Sequence, residues 1–319
     1  MEVKKDSLKA WILAARPKTL TGAAVPVMIG LALAWADIHQ QEVECLARTA
    51  ELQADIAPDW TMTFKWIPAI LCILFAFIMQ IDANFVNDYF DYFRGTDDRE
   101  TRLGPERACS QGWVSIGRMK CAIVLTTALA CVVGFPLVFY GGWELILVGV
   151  LCVAFCFLYT TYFSYIGLGD VLVLVFFGLV PVCMTYYVQT LTVTLEVLLA
   201  SLACGLVIDA LLLVNNFRDR NTDREAGKVT LVVRIGGKAA LRAYLGVGVV
   251  ACLMGGYFAF QGHWLASVLP LAYLLLHYKT YRKMQSIWEG RALNQCLGET
   301  ARNIFVYGLL VAVGVLLSC

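Results

Sequence analysis

The stretch NFVNDYFDYFRGTDD, residues 84–98, decides how this chain is read. On a helix of about 3.6 residues per turn, Asn84, Asn87, Asp88 and Asp91 recur at i, i+3, i+4 and i+7 and share one face. The stretch closes an apolar run that begins near residue 64, so its polar face stands where a membrane helix reaches water. A second stretch, NNFRDRNTDREAGK at residues 215–228, closes another apolar run and sets Asn216, Asp219 and Asp223 at i, i+3 and i+7. The remaining chain is then the scaffold that brings these two polar ends together.

Composition fixes the class around them. The chain is 60% hydrophobic and only 15% charged, with a mean hydropathy of +0.70. Soluble domains are nearer half apolar and a quarter charged. Repeated apolar runs of about 20 residues suit a bilayer core of about 30 Å, so the fold class is all-α, a polytopic membrane protein of one domain over 1–319. A net charge of +1 gives no sign of a nucleic-acid partner. The 12 cysteines lie mostly within apolar runs, with no CxxC pair and no zinc-like spacing. The basic start MEVKKDSLKAWILAARPK is read as leading into the first helix, since no small-residue cleavage site follows it.

Nine spans are expected, near 19–36, 64–87, 120–140, 143–162, 168–189, 194–216, 239–260, 264–278 and 302–318. Nine spans put the N-terminus and the loops after spans two, four, six and eight on one side of the membrane. Nearly all Lys and Arg then fall on that side, with only Arg48 and Lys65 opposite. By the positive-inside rule this predicts a cytoplasmic N-terminus, and both acidic stretches facing the cytoplasm, in residues 88–119 and 217–238. Residues 37–63, with Glu42, Glu44, Glu51, Asp55 and Asp59, read as a polar extracytoplasmic loop. The two motif loops share a layout of glycines and basic residues after an acidic helix end, suggesting two similar halves.

Oxygen-bearing clusters of this kind suit magnesium, which is usually held by one or two carboxylates together with substrate phosphates. Two opposed clusters can therefore grip a diphosphate through metal ions. Arg102, Arg107, Arg218, Arg220 and Lys228 are at hand to neutralise the remaining phosphate charge. A diphosphate so clamped leaves easily, because its developing charge is stabilised as it departs. With an allylic donor the carbon fragment is carbocation-like, and Tyr89, Phe90, Tyr92 and Phe93 are candidates to face it. Asp209 sits about 15 Å deeper than Asp219 on the same helix, where an ionisable side chain is a functional candidate or a partner for another helix. Asp170 opens the fifth span, as a helix cap or an acceptor contact. Asp82 lies off the cluster face and reads as structural, and His39, His263 and His277 are too scattered to suggest a metal site.

At these residues the sequence resembles a known family. NDYFDYFRGTDD, followed about 130 residues later by NNFRDRNTDREAGK, is similar to the intramembrane aromatic prenyltransferases of the UbiA superfamily. AARPKTL (14–20), RLGPER (102–107), YIGLGD (165–170) and GKVTL resemble its menaquinone branch, which prenylates 1,4-dihydroxy-2-naphthoate. The resemblance implies a bundle of about nine helices with a central cavity open to the cytoplasmic side, in the bacterial inner membrane. It implies Mg2+ held by Asn87, Asp88, Asp91, Asp97, Asn216, Asp219 and Asp223, with Asp88, Asp91, Asp219 and Asp223 carrying catalysis. Asn84, Asn87, Arg102, Arg107, Asn216, Arg218 and Lys228 are expected at the diphosphate, and Asp170, Asp209 and Tyr159 at the acceptor. The partners implied are a polyprenyl diphosphate, an aromatic acceptor and the lipid bilayer. Two departures stand out: YTTYFSYIGLGD lacks the Gly and Pro usual in that loop, and residues 37–63 exceed the usual short connection. The alternatives are the same chemistry on another ring such as 4-hydroxybenzoate, and a cation or anion transporter.

Overall fold

The computed structural model describes residues 3–51, 63–95 and 102–318. Apolar runs this long leave no water for backbone groups, so the chain satisfies them internally as helices. Among the described residues there is no strand. A short amphipathic α1 (Leu8–Ala15) is capped by Ser7 and ends at Arg16, whose φ of 51° turns the chain through Pro17–Thr19 into α2 (Leu20–Glu51). The first motif closes α3 (Trp66–Phe93), and α4 (Ile116–Gly134) follows the motif loop. A one-turn α5 (Val138–Gly141) leads to α6 (Glu144–Leu158), which runs into a π-helical turn at Tyr159–Phe163. Next, α7 (Gly169–Val173), a second π-helical segment (Leu174–Leu179) and α8 (Val180–Thr190) form one broken rod.

The central helix is α9 (Leu195–Glu225), capped at its start by Thr194 and carrying the second motif at its end. It packs against α8, α11 and α14, and shares the main buried cluster chiefly with α2 and α14. After α10 (Leu231–Ile235) come α11 (Gly237–Gly255), α12 (Trp264–Val268), α13 (Leu271–Ile287) and α14 (Leu293–Leu316). Small residues let helices touch backbone to backbone, as membrane packing favours. A Cβ at Gly178 would stand 2.6 Å from the Ser201 carbonyl oxygen and 2.8 Å from Gly205 Cα, so the π segment lies directly on α9.

Among the described residues, eight helices are long and apolar enough to cross a membrane. They match eight of the nine expected spans, and the motif-bearing α3 and α9 run several residues further than expected. The remaining span, expected at 264–278, is divided between α12 and the longer α13, whose Lys279, Arg282 and Lys283 make it too polar to qualify. Residues 37–51 continue α2 and are not a loop, while 52–62 lie outside the described residues. Asp37 belongs to the bundle, accepting a hydrogen bond from the Tyr186 hydroxyl.

Candidate active site

The motif-bearing C-terminal ends of α3 and α9 meet through the chain that follows the first motif. Asp88 is fully buried, and its two oxygens accept from the backbone N–H groups of Ala108 (2.8 Å) and Cys109 (3.0 Å). This fastens residues 107–112 as a turn under α3. Arg107 is thereby brought back along the helix, where its Nη2 lies 2.8 Å from Asp91 Oδ2. Arg102, held by its Nε to the Pro105 carbonyl (2.8 Å), reaches the second motif. Gly104 packs flat on Arg218, where a Cβ would lie 2.7 Å from a guanidinium nitrogen.

Arg218 is buried and doubly bonded to Asp219, through Nε at 2.7 Å and Nη2 at 2.5 Å. Its remaining donors reach Asn215 Oδ1 (2.7 Å) and Asn294 Oδ1 (2.8 Å), and Asn294 in turn donates to the Leu103 carbonyl (2.8 Å). Asp223 lies 3.6 Å from Lys228, and its Oδ2 is buried without a hydrogen-bond partner among the described residues. Arg16, at the α1–α2 elbow, lies within electrostatic reach of Arg107, Asp88 and Asp91, and its Nη2 is likewise buried and unpartnered. Burial and the neighbouring guanidiniums of Arg107 and Arg16 push Arg102 down to about 9. Four guanidiniums crowded together repel one another, and an anion between them relieves that repulsion.

The acceptor candidates form the far wall. Tyr159 lies within electrostatic reach of Asp170, Asp209, Asp91 and Asp223, which places both motifs and both deeper carboxylates around one side chain. Asn87 accepts from the Thr160 hydroxyl in the π-helical turn, and Arg94 donates to the carbonyls of Thr160 (3.0 Å) and Thr161. Irregular helical turns of this type expose carbonyls that an α-helix would occupy. Gly167, at φ +79°, lets the 165–168 loop dock beneath Val229: a Cβ there would stand 2.6 Å from the Val229 carbonyl oxygen. This sets the Tyr165 ring 5.9 Å from Lys228 Nζ and 4.5 Å from the Arg94 guanidinium. Tyr159, Asp170, Asn216 and Lys228 all line the resulting narrow cleft.

Several expected roles change on these contacts. Asn84 gives its amide to the Ala15 carbonyl and the Thr19 hydroxyl, both at 2.9 Å, so it holds the elbow that presents Arg16. Arg220 turns away from the site: it donates to the Phe217 and Trp288 carbonyls and stacks on both rings. Tyr89 and Phe90 line a separate apolar groove with α4 and Phe157, so they do not face the carboxylates of α9. Asp82, read as structural, is fully buried and accepts from Thr126 (2.5 Å) and Thr127 (2.8 Å). Asp97 lies outside the described residues. Arg16 and Asn294 were not singled out from the sequence, because an Arg before a helix and an Asn on a long amphipathic one carry no spacing signal of their own.

Among the described residues, no three of His, Cys, Asp and Glu stand close enough to hold a metal ion by themselves. The reason is visible in the contacts, since Asp88 serves amides and Asp219 a guanidinium. This donor set still fits magnesium, which takes one or two carboxylates and completes its octahedron with phosphate oxygens and water. The buried, unpartnered Oδ2 of Asp223 is the available protein oxygen such an ion requires.

The fold and the site define an intramembrane enzyme class in which two acidic helix ends face one basic nest. Residues 56–291 match the family model described as the UbiA prenyltransferase family, and the chain belongs to that family. It is 34% identical to the 1,4-dihydroxy-2-naphthoate octaprenyltransferase of Escherichia coli, over 97% of this chain and 96% of that protein. It is 31% identical to the protein of the same description from Mycobacterium tuberculosis, over 96% of each. Among solved structures it is similar to an apo UbiA homolog from Aeropyrum pernix (TM-score 0.62, 14% identity, covering 92% of this chain and 97% of that one). It is also similar to a UbiA homolog from Archaeoglobus fulgidus bound to GPP and Mg2+ (TM-score 0.61, 14% identity, 95% and 99% covered).

Proposed function

We propose that this chain transfers a polyprenyl group from its diphosphate to 1,4-dihydroxy-2-naphthoate, releasing CO2 and diphosphate and giving the prenylated naphthoquinol, the reduced form of demethylmenaquinone. The observation that carries the reading is the convergence of both acidic motifs, Tyr159 and four guanidiniums on one site, in a chain whose near-full-length relatives bear that name. The diphosphate seats among Arg16, Arg102, Arg107, Arg218 and Lys228. Asn87, Asp91, Asn216 and Asp223 would hold Mg2+. Asp88 and Asp219 act chiefly by fixing the loop and Arg218, and Asn84 by holding the elbow. Bound Mg2+ supplies positive charge that stabilises the leaving diphosphate.

Every other step belongs to side chains. The arginines orient the donor so that its C1 points toward Tyr159, and the aromatic wall of Tyr159 and Tyr165 keeps water from the allylic centre. Asp170 and Asp209 face the acceptor ring. The electron pair of the ring carbon forms the bond to C1, the C1–O bond breaks onto diphosphate, and loss of CO2 restores aromaticity. The distribution of Lys and Arg supports a cytoplasmic N-terminus in a bacterial inner membrane, with the site opening to the cytoplasm. The test is transfer by purified protein in detergent, with and without magnesium, offered 1,4-dihydroxy-2-naphthoate or 4-hydroxybenzoate. Magnesium-dependent prenylated naphthoquinol with CO2 release is the expected result. Turnover of 4-hydroxybenzoate alone moves the chain to another acceptor, and no diphosphate release with any ring overturns the reading.

A further inference from the structure

The cleft at Tyr159 holds a carboxyl oxygen that nothing among the described residues answers. Asp170 is 9% exposed and lines the cleft, yet its Oδ1 is buried without a hydrogen-bond partner. Asp209, 5% exposed and within electrostatic reach of Asp170, has an Oδ1 in the same condition. A carboxylate oxygen only accepts, so what completes this cleft is a donor. Two acidic groups within electrostatic reach of one another are a poor seat for a phosphate or carboxylate oxygen, so the donor that Asp170 Oδ1 lacks is a neutral O–H. The cleft is narrow, with room for a group the size of a water or a hydroxyl. Of the motif carboxylates, Asp88, Asp91 and Asp219 are engaged by two backbone amides, Arg107 and Arg218, and the open Oδ2 of Asp223 is the oxygen assigned to the metal.

Resting on the prenyl-transfer reading above, we infer that Asp170 receives a ring hydroxyl of the aromatic acceptor and takes its proton as the ring is alkylated. The O–H bond breaks toward Asp170 Oδ1, and its electron pair remains on oxygen and feeds the ring. The ring carbon forms its bond to the prenyl C1 while the C1–O pair leaves with diphosphate. CO2 then departs, its bonding pair restores the aromatic ring, and the proton returns from Asp170 to the oxygen. No oxidant or further reactant is needed. The substrate class that fits is a hydroxyarene whose hydroxyl is conjugated with the alkylated carbon. Tyr159, Gly167 and Gly169 line the cleft and leave room beside Asp170 for this hydroxyl.

The experiment compares wild-type and Asp170→Asn protein, in detergent with magnesium and geranyl diphosphate, across acceptors graded in hydroxyl acidity by ring fluorination. Geranyl diphosphate binding is measured separately by calorimetry. Removal of a positioned base costs roughly 100-fold or more in rate. The expected result is a kcat lowered to that extent with unfluorinated acceptor, unchanged geranyl diphosphate affinity, and recovery of at least tenfold as the hydroxyl becomes more acidic. Wild-type protein should respond little to that acidity, and should lose at least 100-fold with an acceptor methylated at that hydroxyl, a comparison needing no variant. A kcat within threefold of wild type, a loss equal for all acceptors, or efficient turnover of the methyl ether overturns the assignment of Asp170 while leaving prenyl transfer intact. Absence of wild-type turnover with any hydroxyarene overturns the prenyl-transfer reading itself.

Discussion

Replacing Asp88 separates two accounts of the first motif. If Asp88 were chiefly a metal ligand at the water boundary, Asp88→Asn would abolish turnover in a protein as stable as wild type. Its contacts say otherwise: the side chain is fully buried and both oxygens carry backbone amides at 2.8 and 3.0 Å. A hydrogen bond to a charged group contributes about 1.5–3 kcal/mol. Asparagine keeps one acceptor but turns an NH2 toward the second amide, so one bond is lost and two donors oppose each other. The expected cost is about 3 kcal/mol, and Asp88→Ala, leaving two buried amides unanswered, should cost about 2–6 kcal/mol. The loop that detaches carries Arg102, Gly104 and Arg107, so donor affinity falls together with stability. Thermal melts followed by size-exclusion fluorescence, with limited proteolysis at residues 102–110, read both effects. Asp223→Asn is the control, since its Oδ2 has no partner to lose, and it should melt within about 0.5 kcal/mol of wild type while binding the donor less well. An Asp88→Asn protein that melts and resists protease like wild type would refute the loop-anchor role.

Gly104→Ala should raise the KM for the donor several-fold with little change in melting, because its Cβ would stand 2.7 Å from the pinned Arg218 guanidinium; initial rates against donor concentration check it. Gly178→Ala should destabilise the bundle by about 1–3 kcal/mol, since the clash is with backbone of α9 and not with a movable side-chain end; a thermal melt reads it. His263, 2.9 Å from Glu196, has its pKa raised above 6.5, first by the hydrogen bond to that carboxylate. The protonated form therefore stabilises the fold fully below the unfolded value of 6.5, and the contribution is lost as pH rises through the higher folded value. Melting points measured from pH 5.5 to 9 should fall across that window in wild type and flatten in Glu196→Gln.

The helices and the two acidic ends were legible in the sequence because both obey a short rule: apolar length sets the span, and a 3.6-residue period sets the face. Eight spans follow from this, and so does the choice of Asp91, Asp219 and Asp223 as neighbours of one site. Asp88 shares the same period but not the same partner. Its face is decided by residues 107–109, some 20 positions away, and only closure of that loop turns it from solvent to amides. Arg220 fails for a related reason, being one residue from Asp219 and so on another side of α9, where Trp288 of the α13 end captures it. The α12–α13 rod, expected as the span 264–278, is broken before Leu271 and ends in Lys279, Arg282 and Lys283, so length and polarity alone do not mark it, while packing between α11 and α14 holds it in the bundle. Arg16 marks the limit of local reading. Its value lies in an elbow that Asn84 fixes from α3 and in an Nη2 left open toward the motif, and both depend on contacts across some 70 residues of chain. Residues whose role is to answer another charge are thus found only when that charge has been brought beside them.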